Sequence, residues 1–148
     1  MSDPTWASRT IIDGAAGTLY VQAAGVTAAP GTANEVGFAT GFSLEASQTT
    51  TTKGPYINYG TKKTSRSGIE VSGEFAVDMA AGADANYAML VNSVGAGTRL
   101  KVTFDMDDGP TYAVDQALFG FSVENSPEDG TTTTFPFTAD SYTFTAAT

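Results

Sequence analysis

Residues 69–79 have the sequence IEVSGEFAVDM, and this stretch decides the fold class. Its odd-numbered positions are apolar apart from Gly73, whereas Glu70, Glu74 and Asp78 occupy even-numbered positions. Because successive side chains of a strand point to opposite faces, the alternation indicates a strand with one dry face and one hydrated, acidic face. Half-buried strands of this kind are typical of antiparallel sheets.

The same alternation recurs along the chain. It predicts a strand at residues 99–105, with Leu100, Val102 and Phe104 on the dry face. In residues 37–48 it predicts one face formed by Phe38, Thr40, Phe42, Leu44 and Ala46. Glu45 falls on the opposite face, and we expect it near the carboxylates of residues 69–79.

Two longer segments change parity once. In residues 111–125 the apolar positions shift from even to odd near Gln116 and Ala117, which predicts a bulge there. Residues 131–144 shift in the same way. Pro136 lies in this second segment and has no backbone N–H to donate, so it predicts an edge or a bulge.

One segment has a helical period. After Asp84, a candidate N-cap, Tyr87, Leu90, Val91 and Val94 follow at the spacing of one helix face. Gly95 is the candidate C′ glycine. Together the elements predict a mainly β protein, an antiparallel β-sandwich with one flanking α-helix.

Composition excludes much chemistry. The 148 residues suit a single domain, and they include no histidine and no cysteine. Ser-His-Asp triads, thiolate nucleophiles, zinc fingers and disulfides are therefore excluded. The net charge of −9 argues against general nucleic-acid binding and against an anionic membrane surface. We find neither a signal peptide nor a run of about 18 apolar residues, so we expect a soluble protein made and kept in a cytoplasm.

We divide the chain into an N-terminal arm at residues 1–34 and a β-sandwich domain at residues 35–148, with a long irregular loop at residues 49–68. That loop contains no acidic residue and four of the seven basic ones: Lys53, Lys62, Lys63 and Arg66. One interpretation is a flexible, solvated loop. The other is a basic protrusion that docks on an acidic face of another copy, a head-to-tail pairing that builds rings or filaments.

Other candidate sites are weak. Residues 105–109 (DMDDG) suggest a calcium loop, but Gly109, Pro110 and Gln116 stand where an EF-type loop needs a ligand, a glycine and a glutamate. A solvated acidic turn is the favoured interpretation, with a weak cation site as its alternative. The carboxylates of residues 69–79 with Glu45 could form a glycosidase pair, but the single tryptophan, Trp6, lies in the arm. We predict no catalytic residue, no cofactor and no metal site.

The order of the elements resembles the major tail tube proteins of tailed bacteriophages, over about residues 35–144. The resemblance is carried by residues 69–75 (IEVSGEF), residues 84–94, residues 99–104 (RLKVTF), the Asp108-Gly109 turn, Tyr112, residues 119–125 (FGFSVEN) and the threonine-rich residues 131–137. It rests on pattern and order, because this family has no short invariant motif.

The resemblance implies a structural virion protein, not an enzyme. It implies hexameric rings stacked into a tube, with the inner sheet joining a tube-wide β-barrel around an acidic lumen that DNA crosses without specific binding. The implied lumen-facing residues are Glu45, Glu70, Glu74 and Asp78; the implied inter-ring loop contributes Lys53, Tyr56, Tyr59, Lys62, Lys63 and Arg66. The implied partners are further copies of the chain, a tape measure protein and tail terminator or tip proteins, in a virion tail assembled in the host cytoplasm and without a membrane.

Three alternatives stay open. A type VI secretion tube protein has a similar fold and also forms hexameric rings. A carbohydrate-binding or adhesin β-sandwich needs exposed aromatics for sugar stacking, for which Tyr56 and Tyr59 are the plausible pair. An enzyme is the weakest alternative. The sequence leaves open a contractile or non-contractile tail, a phage or a gene transfer agent, the host and the number of rings.

Overall fold

The computed structural model describes residues 17–54, 63–78, 85–107, 109–128 and 130–146. Within them the chain forms mostly antiparallel strands and one α-helix, which confirms the predicted fold class. The elements are β1 (Gly17–Ala23), a 3-10 helix (Thr32–Asn34), β2 (Ala39–Lys53), β3 (Lys63–Asp78), α1 (Ala85–Ala96), β4 (Leu100–Met106), β5 (Thr111–Phe119), β6 (Ser122–Ser126), β7 (Gly130–Ala139) and β8 (Thr143–Thr145).

The strands are joined in the order β1-β4-β5-β7-β3-β2, while β6 pairs with β7 and β8 pairs with β5. Strand β5 connects two layers, because its first part pairs with β4 and its last residues, Leu118 and Phe119, pair with β7. We call β1, β4, β8 and the first part of β5 the β1 layer. The β2 layer consists of β2, β3, β7, β6 and the end of β5.

The predicted bulge at Gln116 is confirmed. Leu100 pairs with Ala117 and Val102 pairs with Val114, so two residues of β5 lie opposite one residue of β4. Gln116 has a positive φ of 59°. The extra residue reverses the facing of the strand, which lets β5 leave one layer and enter the other with apolar residues still inward.

The core lies between the two layers. Phe75 is buried at its centre, with ring centroids 5.5 Å from Phe135 and 6.0 Å from Phe119. Helix α1 covers one side, with Leu90 fully buried. The buried apolar set is Leu19, Val21, Val36, Val71, Phe75, Val77, Leu90, Leu100, Val102, Val114, Ala117, Phe119, Phe135, Phe137 and Ala139.

Helix α1 is held to both neighbours by polar side chains. The hydroxyl groups of Tyr87 and Thr133 are 3.0 Å apart, and Thr133 is fully buried. Asn86 Nδ2 donates to the carbonyl oxygens of Ala33 (2.9 Å) and Glu35 (2.7 Å). These bonds fix the helix against β7 and against the segment that leads into β2.

The predicted C′ glycine, Gly95, is wrong. Gly95 lies inside α1, and Gly97, with φ 69°, takes the left-handed position that follows the last helical residue. The pattern offered two glycines, and the second one ends the helix. Asp84, the candidate N-cap, lies outside the described residues.

The predicted face of β2 is also wrong at its start. The register shifts between Thr40 and Ser43, and Gly41 adopts a left-handed backbone with φ 65°. Thr40 lies opposite Ala76, so its side chain points away from the core. After the shift Phe42 points inward, and its ring stacks on Phe104 at 4.6 Å. Thr40 and Phe42 therefore do not share a face.

Pro136 lies neither at an edge nor at a bulge, because β7 has β3 on one side and β5 and β6 on the other. It pairs with Glu74 of β3. On the other side its carbonyl accepts the N–H of Gly120 at 2.8 Å, in the short connection between β5 and β6. The N–H that proline lacks would face this gap between two strands, so no ladder bond is lost. The predicted second parity shift falls between β7 and β8.

Both the predicted arm and the predicted irregular loop contain regular strands. Strand β1 lies within the predicted arm, and its Leu19 and Val21 are buried in the core; residues 1–16 lie outside the described residues. Strands β2 and β3 extend into the predicted loop from both sides, with Lys53 paired to Lys63. Because β7 pairs with β3 only from Val71 onward, this part is a hairpin that projects beyond the sandwich.

In the part of the chain that the structure describes, no helix has the length and apolar character needed to span a membrane.

Candidate functional site

The outer face of the β2 layer is acidic. It carries the four carboxylates predicted from the sequence together with Glu124 of β6, and all five are exposed. We call this surface the acidic face: Glu45, Glu70, Glu74, Asp78 and Glu124. The structure therefore brings the four predicted residues, which lie on the adjacent strands β2 and β3, together on one surface that continues across β7 to Glu124 of β6.

Strand register explains why these residues share a face. Asp78 pairs with Thr132, and Thr132 pairs with Glu124, so the three residues form one row across β3, β7 and β6. Thr132 Oγ1 donates to Asp78 Oδ1 at 3.1 Å. Residues paired across a sheet point to the same side, so every second residue of each strand contributes to the acidic face.

Between the carboxylates stand short, uncharged side chains. Glu74 has Ser43 on one side and Pro136 on the other, and Glu45 lies opposite Ser72. These neighbours neither neutralise the carboxylates nor project beyond them. The surface is consequently negative.

A shallow depression of about 410 Å³ lies where the acidic face meets the projecting hairpin. Its described lining includes Glu45, Glu70 and Asp140, together with one cation, Arg99. Arg99 Nη1 donates to the carbonyl oxygen of Gln116 at 2.9 Å, so the bulge of β5 holds the guanidinium near this end of the face.

Glu124 and Asp140 were not among the residues predicted from the sequence. A signal for Glu124 was present, because the parity shift near Gln116 places Ser122 and Glu124 on the face opposite Phe121 and Val123. What was missing is the pairing of β6 with β7, which puts Glu124 in line with Asp78. Asp140 follows β7 and has no periodic signal.

In the acidic turn after β4, one carboxylate is hydrogen-bonded within the protein. Thr111 Oγ1 donates to Asp105 Oδ1 at 3.0 Å, which ties the two strands together at the turn. Asp108 lies outside the described residues. Among the residues the structure covers, no group of three or more Asp or Glu side chains is placed to hold a metal ion.

The six predicted inter-ring residues fall into two groups of three. Tyr56, Tyr59 and Lys62 lie outside the described residues. Lys53 and Lys63 are paired through their backbones near the end of the hairpin, and Arg66 pairs with Thr50 in the same way. The docking role of these residues stays a prediction.

No protein-family model matches this sequence, and no curated protein matches it. Solved structures do match in fold. The tail of an empty gene transfer agent (GTA) particle, refined with C6 symmetry, matches with a TM-score of 0.55 and 13% identity, covering 86% of this chain and 96% of that chain. The virion of a native GTA particle matches with a TM-score of 0.53 and 11% identity, covering 86% and 95%.

A third solved structure also matches in fold. The Hcp1 protein of the E. coli EAEC 042 pathovar matches with a TM-score of 0.53 and 9% identity, covering 88% of this chain and 91% of that chain. The chain thus has the fold of a class that includes a GTA tail protein and Hcp1. The tail tube resemblance inferred from the sequence is confirmed at the level of the fold.

Proposed function

We propose that this chain is the major tail tube subunit of a phage or a gene transfer agent. Its copies form hexameric rings, the rings stack into a tube, and the tube conducts DNA through an acidic lumen. The observation that carries the proposal is one sheet with an acidic outer face, in which, among the described residues, β2 and β6 are the two edge strands. The likeness to a GTA tail refined with C6 symmetry supports the ring.

The edges of the β2 layer support ring formation. Among the described residues, β2 pairs with β3 alone and β6 pairs with β7 alone. Edge strands of this kind can pair with a strand of another molecule. They lie on opposite sides of one sheet, so pairing β6 of one copy with β2 of the next is head-to-tail, and a suitable rotation closes it into a ring. The sheet then continues as a barrel with the acidic face on one side.

The acidic face suits a wall that DNA passes. Carboxylates such as Glu70 and Glu74 repel phosphate, and a duplex gains affinity for a protein mainly from Lys and Arg. At a Debye length of about 8 Å the repulsion acts close to the wall. The duplex therefore keeps its hydration shell and finds no binding site on the wall as it moves.

The projecting hairpin is the proposed contact between rings. The segment at residues 49–68 carries four basic residues, Lys53, Lys62, Lys63 and Arg66, while the rest of the chain is strongly acidic. Charge complementarity of this kind favours docking on an adjacent ring. The assembled tube is a virion tail that meets a tape measure protein inside and terminator or tip proteins at its ends.

A type VI secretion tube subunit is the second candidate. The likeness to Hcp1 has a TM-score of 0.53, against 0.55 for the GTA tail, so the fold does not separate the two. The acidic face favours the DNA conduit. A carbohydrate-binding module is less well supported, because its aromatic pair, Tyr56 and Tyr59, lies outside the described residues.

Electron microscopy of negatively stained protein tests the proposal. We expect rings or tubes with a central channel when the purified chain is concentrated or mixed with an initiating tail complex. Sedimentation velocity should show the same concentration dependence. A monomer at every concentration, with or without the initiating complex, would contradict the proposal; glycan binding by that monomer would favour the adhesin. Capsid and terminase genes beside the coding gene would favour the tail over the secretion tube.

A further inference from the structure

The two edges of the β2 layer differ in shape on their core-facing side. At the β6 edge, Phe121 and Val123 are 43% and 55% exposed. Val123 pairs with Thr133, which is fully buried and pairs with Val77, also buried. Val123 therefore lies on the core-facing side of the sheet, yet nothing in the described chain covers it. This edge offers two uncovered apolar side chains.

Phe121 belongs to the same protrusion. Its ring centroid lies 6.5 Å from that of Phe135, which is fully buried. Phe121, which immediately precedes β6, thus extends the group of core aromatic side chains toward the β6 edge. We call Phe121 and Val123 the β6 knob.

At the β2 edge the core-facing side is hollow. A groove of about 650 Å³ opens between β1 and β2, and Leu19, Val36, Phe42, Phe75 and Phe104 contribute to its apolar lining. Phe38 stands at its rim and is 68% exposed. We call this hollow the β2 groove.

The backbone at Phe38 holds its ring at the rim. Phe38 has φ 58°, a left-handed conformation that bulky residues rarely adopt. Its carbonyl oxygen accepts the N–H of Asp78 at 3.1 Å, which ties this strained residue to β3. A strained, exposed aromatic residue at the mouth of an apolar groove is well placed for a contact with another molecule.

We propose that the β2 groove receives the β6 knob of a second copy of this chain. The inference rests on the proposed tube and identifies the contact that joins neighbours within a ring. The interface would then continue the sandwich core, as well as the sheet, from one subunit into the next.

Strand direction and facing agree with this occupant. All neighbours in the order β2, β3, β7, β6 are antiparallel, so β6 runs opposite to β2, and a repeated sheet pairs them antiparallel. Val123, Thr133, Val77 and Ala39 form one row on the core-facing side. A copy added in the same orientation places its Phe121 and Val123 on the side of Ala39, which lines the groove.

The pairing is head-to-tail, as the contacts within a ring are. Knob and groove lie on opposite edges, so each copy uses both once, and two copies cannot satisfy both at the same time through one twofold contact. An unrelated partner would match one edge alone, whereas a second copy matches both.

Replacing Val123 with Asp tests the knob. Because Val123 is exposed in the single chain, Val123→Asp should leave the fold and thermal stability unchanged. Ser122→Asp is the matched control, since it adds the same charge to the same edge strand on the acidic face. We expect Val123→Asp to raise the concentration for half-maximal assembly at least about tenfold, a change of about 1.4 kcal/mol. Ser122→Asp should shift it by less than about threefold.

A mixing experiment tests the groove and the head-to-tail order. Ala39→Trp should fill the groove and leave the knob intact, while Val123→Asp leaves the groove intact. At a concentration where the wild type assembles and Val123→Asp does not, neither variant alone should assemble. An equimolar mixture should then form a one-to-one dimer by sedimentation velocity and native mass spectrometry, and nothing larger.

The outcomes separate this inference from the proposed function. Normal tubes from folded Val123→Asp would overturn the knob and groove while leaving the tube in place. Equal losses in Val123→Asp and Ser122→Asp would also overturn it, because the effect would then be charge at the edge. A wild-type chain that never assembles would instead overturn the tube. Near-UV circular dichroism tests whether Ala39→Trp is folded. If this variant fails to fold, the comparison of Val123→Asp with Ser122→Asp still tests the proposed contact.

Discussion

Gly73 of β3 lies directly against the ring of Phe137, its partner on β7. A Cβ atom placed on Gly73 would stand 2.6 Å from Cζ of Phe137 and would also press on the carbonyl oxygen of Ser43 in β2. Real Cβ atoms do not approach so closely. The absent side chain therefore lets an aromatic ring of the core lie flat on the middle of the sheet, between two partner strands.

We expect Gly73→Ala to lower the free energy of unfolding by about 1–3 kcal/mol, because a rigid backbone and a packed ring must both move. Gly68→Ala is the control on the same strand, since a Cβ there meets nothing within 4 Å. It should change stability by less than about 0.5 kcal/mol. Urea unfolding followed by circular dichroism measures both. Equal effects would show that strand flexibility, not the contact with Phe137, decides the choice of glycine.

The two glycines at the end of α1 should respond in opposite directions. Gly95 is helical and open to solvent, so Gly95→Ala should raise the free energy of unfolding by about 0.5–1 kcal/mol. Gly97 has φ 69°, so Gly97→Ala should lower it by about 1–2 kcal/mol. Thermal melts of the two variants check this. A gain at both positions would contradict the assignment of Gly97 as the residue that ends the helix.

Local periodicity predicted the features that depend on neighbours in sequence. The acidic side of β3 and the bulge at Gln116 follow from alternation alone, because burial on one face imposes a period of two. Features that depend on strand pairing could not be predicted this way. Pro136 is tolerated inside β7 because β5 gives way to β6 beside it, and Glu124 joins the acidic face through the same pairing.

The projecting hairpin contains strand residues that periodicity could not predict. Residues 49–52 of β2 are exposed, so neither face of this part selects for apolar residues. Without that selection the period of two disappears, and the threonine-rich sequence resembles a loop. Backbone pairing between β2 and β3 forms the strand all the same. The sequence of β1 also lacks a clear alternation of apolar and polar residues, because its short apolar set is flanked by small residues.

Reversing charge on the hairpin should separate ring formation from stacking. We expect Lys62→Glu, Lys63→Glu and Arg66→Glu together to shorten tubes to isolated rings. Each exposed pair is worth only about 0–1 kcal/mol, but every subunit of a ring repeats it. Electron micrographs give the tube lengths, and far-UV circular dichroism should not change.

The corresponding glutamine variants are the control for the hairpin. Loss of charge without reversal should shorten the tubes less, and added salt should weaken wild-type stacking in the same direction. Tubes of normal length from the charge-reversed chain would show that the hairpin is not the docking element.

Charge reversal on the acidic face tests the DNA conduit. Glu70 and Glu74 are exposed, and the sheet's edges, not these side chains, are the proposed assembly contacts. Glu70→Lys with Glu74→Lys should therefore permit assembly, yet give each subunit two cations facing the channel. Assembled tubes should then retain short duplex DNA that wild-type tubes release, and genome ejection should slow or stall. Raising the salt concentration should ease both defects, since each phosphate contact releases counterions.

The matched control places the same charges elsewhere. Asp107 and Glu128 are exposed residues in turns, and Asp107→Lys with Glu128→Lys changes the net charge by the same amount. If the acidic face lines the lumen, tubes of this control variant should release short duplex DNA from the channel as the wild type does. Their exterior cations also attract phosphate, however. Closed circular duplex DNA distinguishes the two surfaces, because it has no free end to enter the channel and therefore competes for exterior sites alone. Equal DNA retention by both double variants, or unchanged ejection with Glu70→Lys and Glu74→Lys, would place the acidic face outside the path of the DNA.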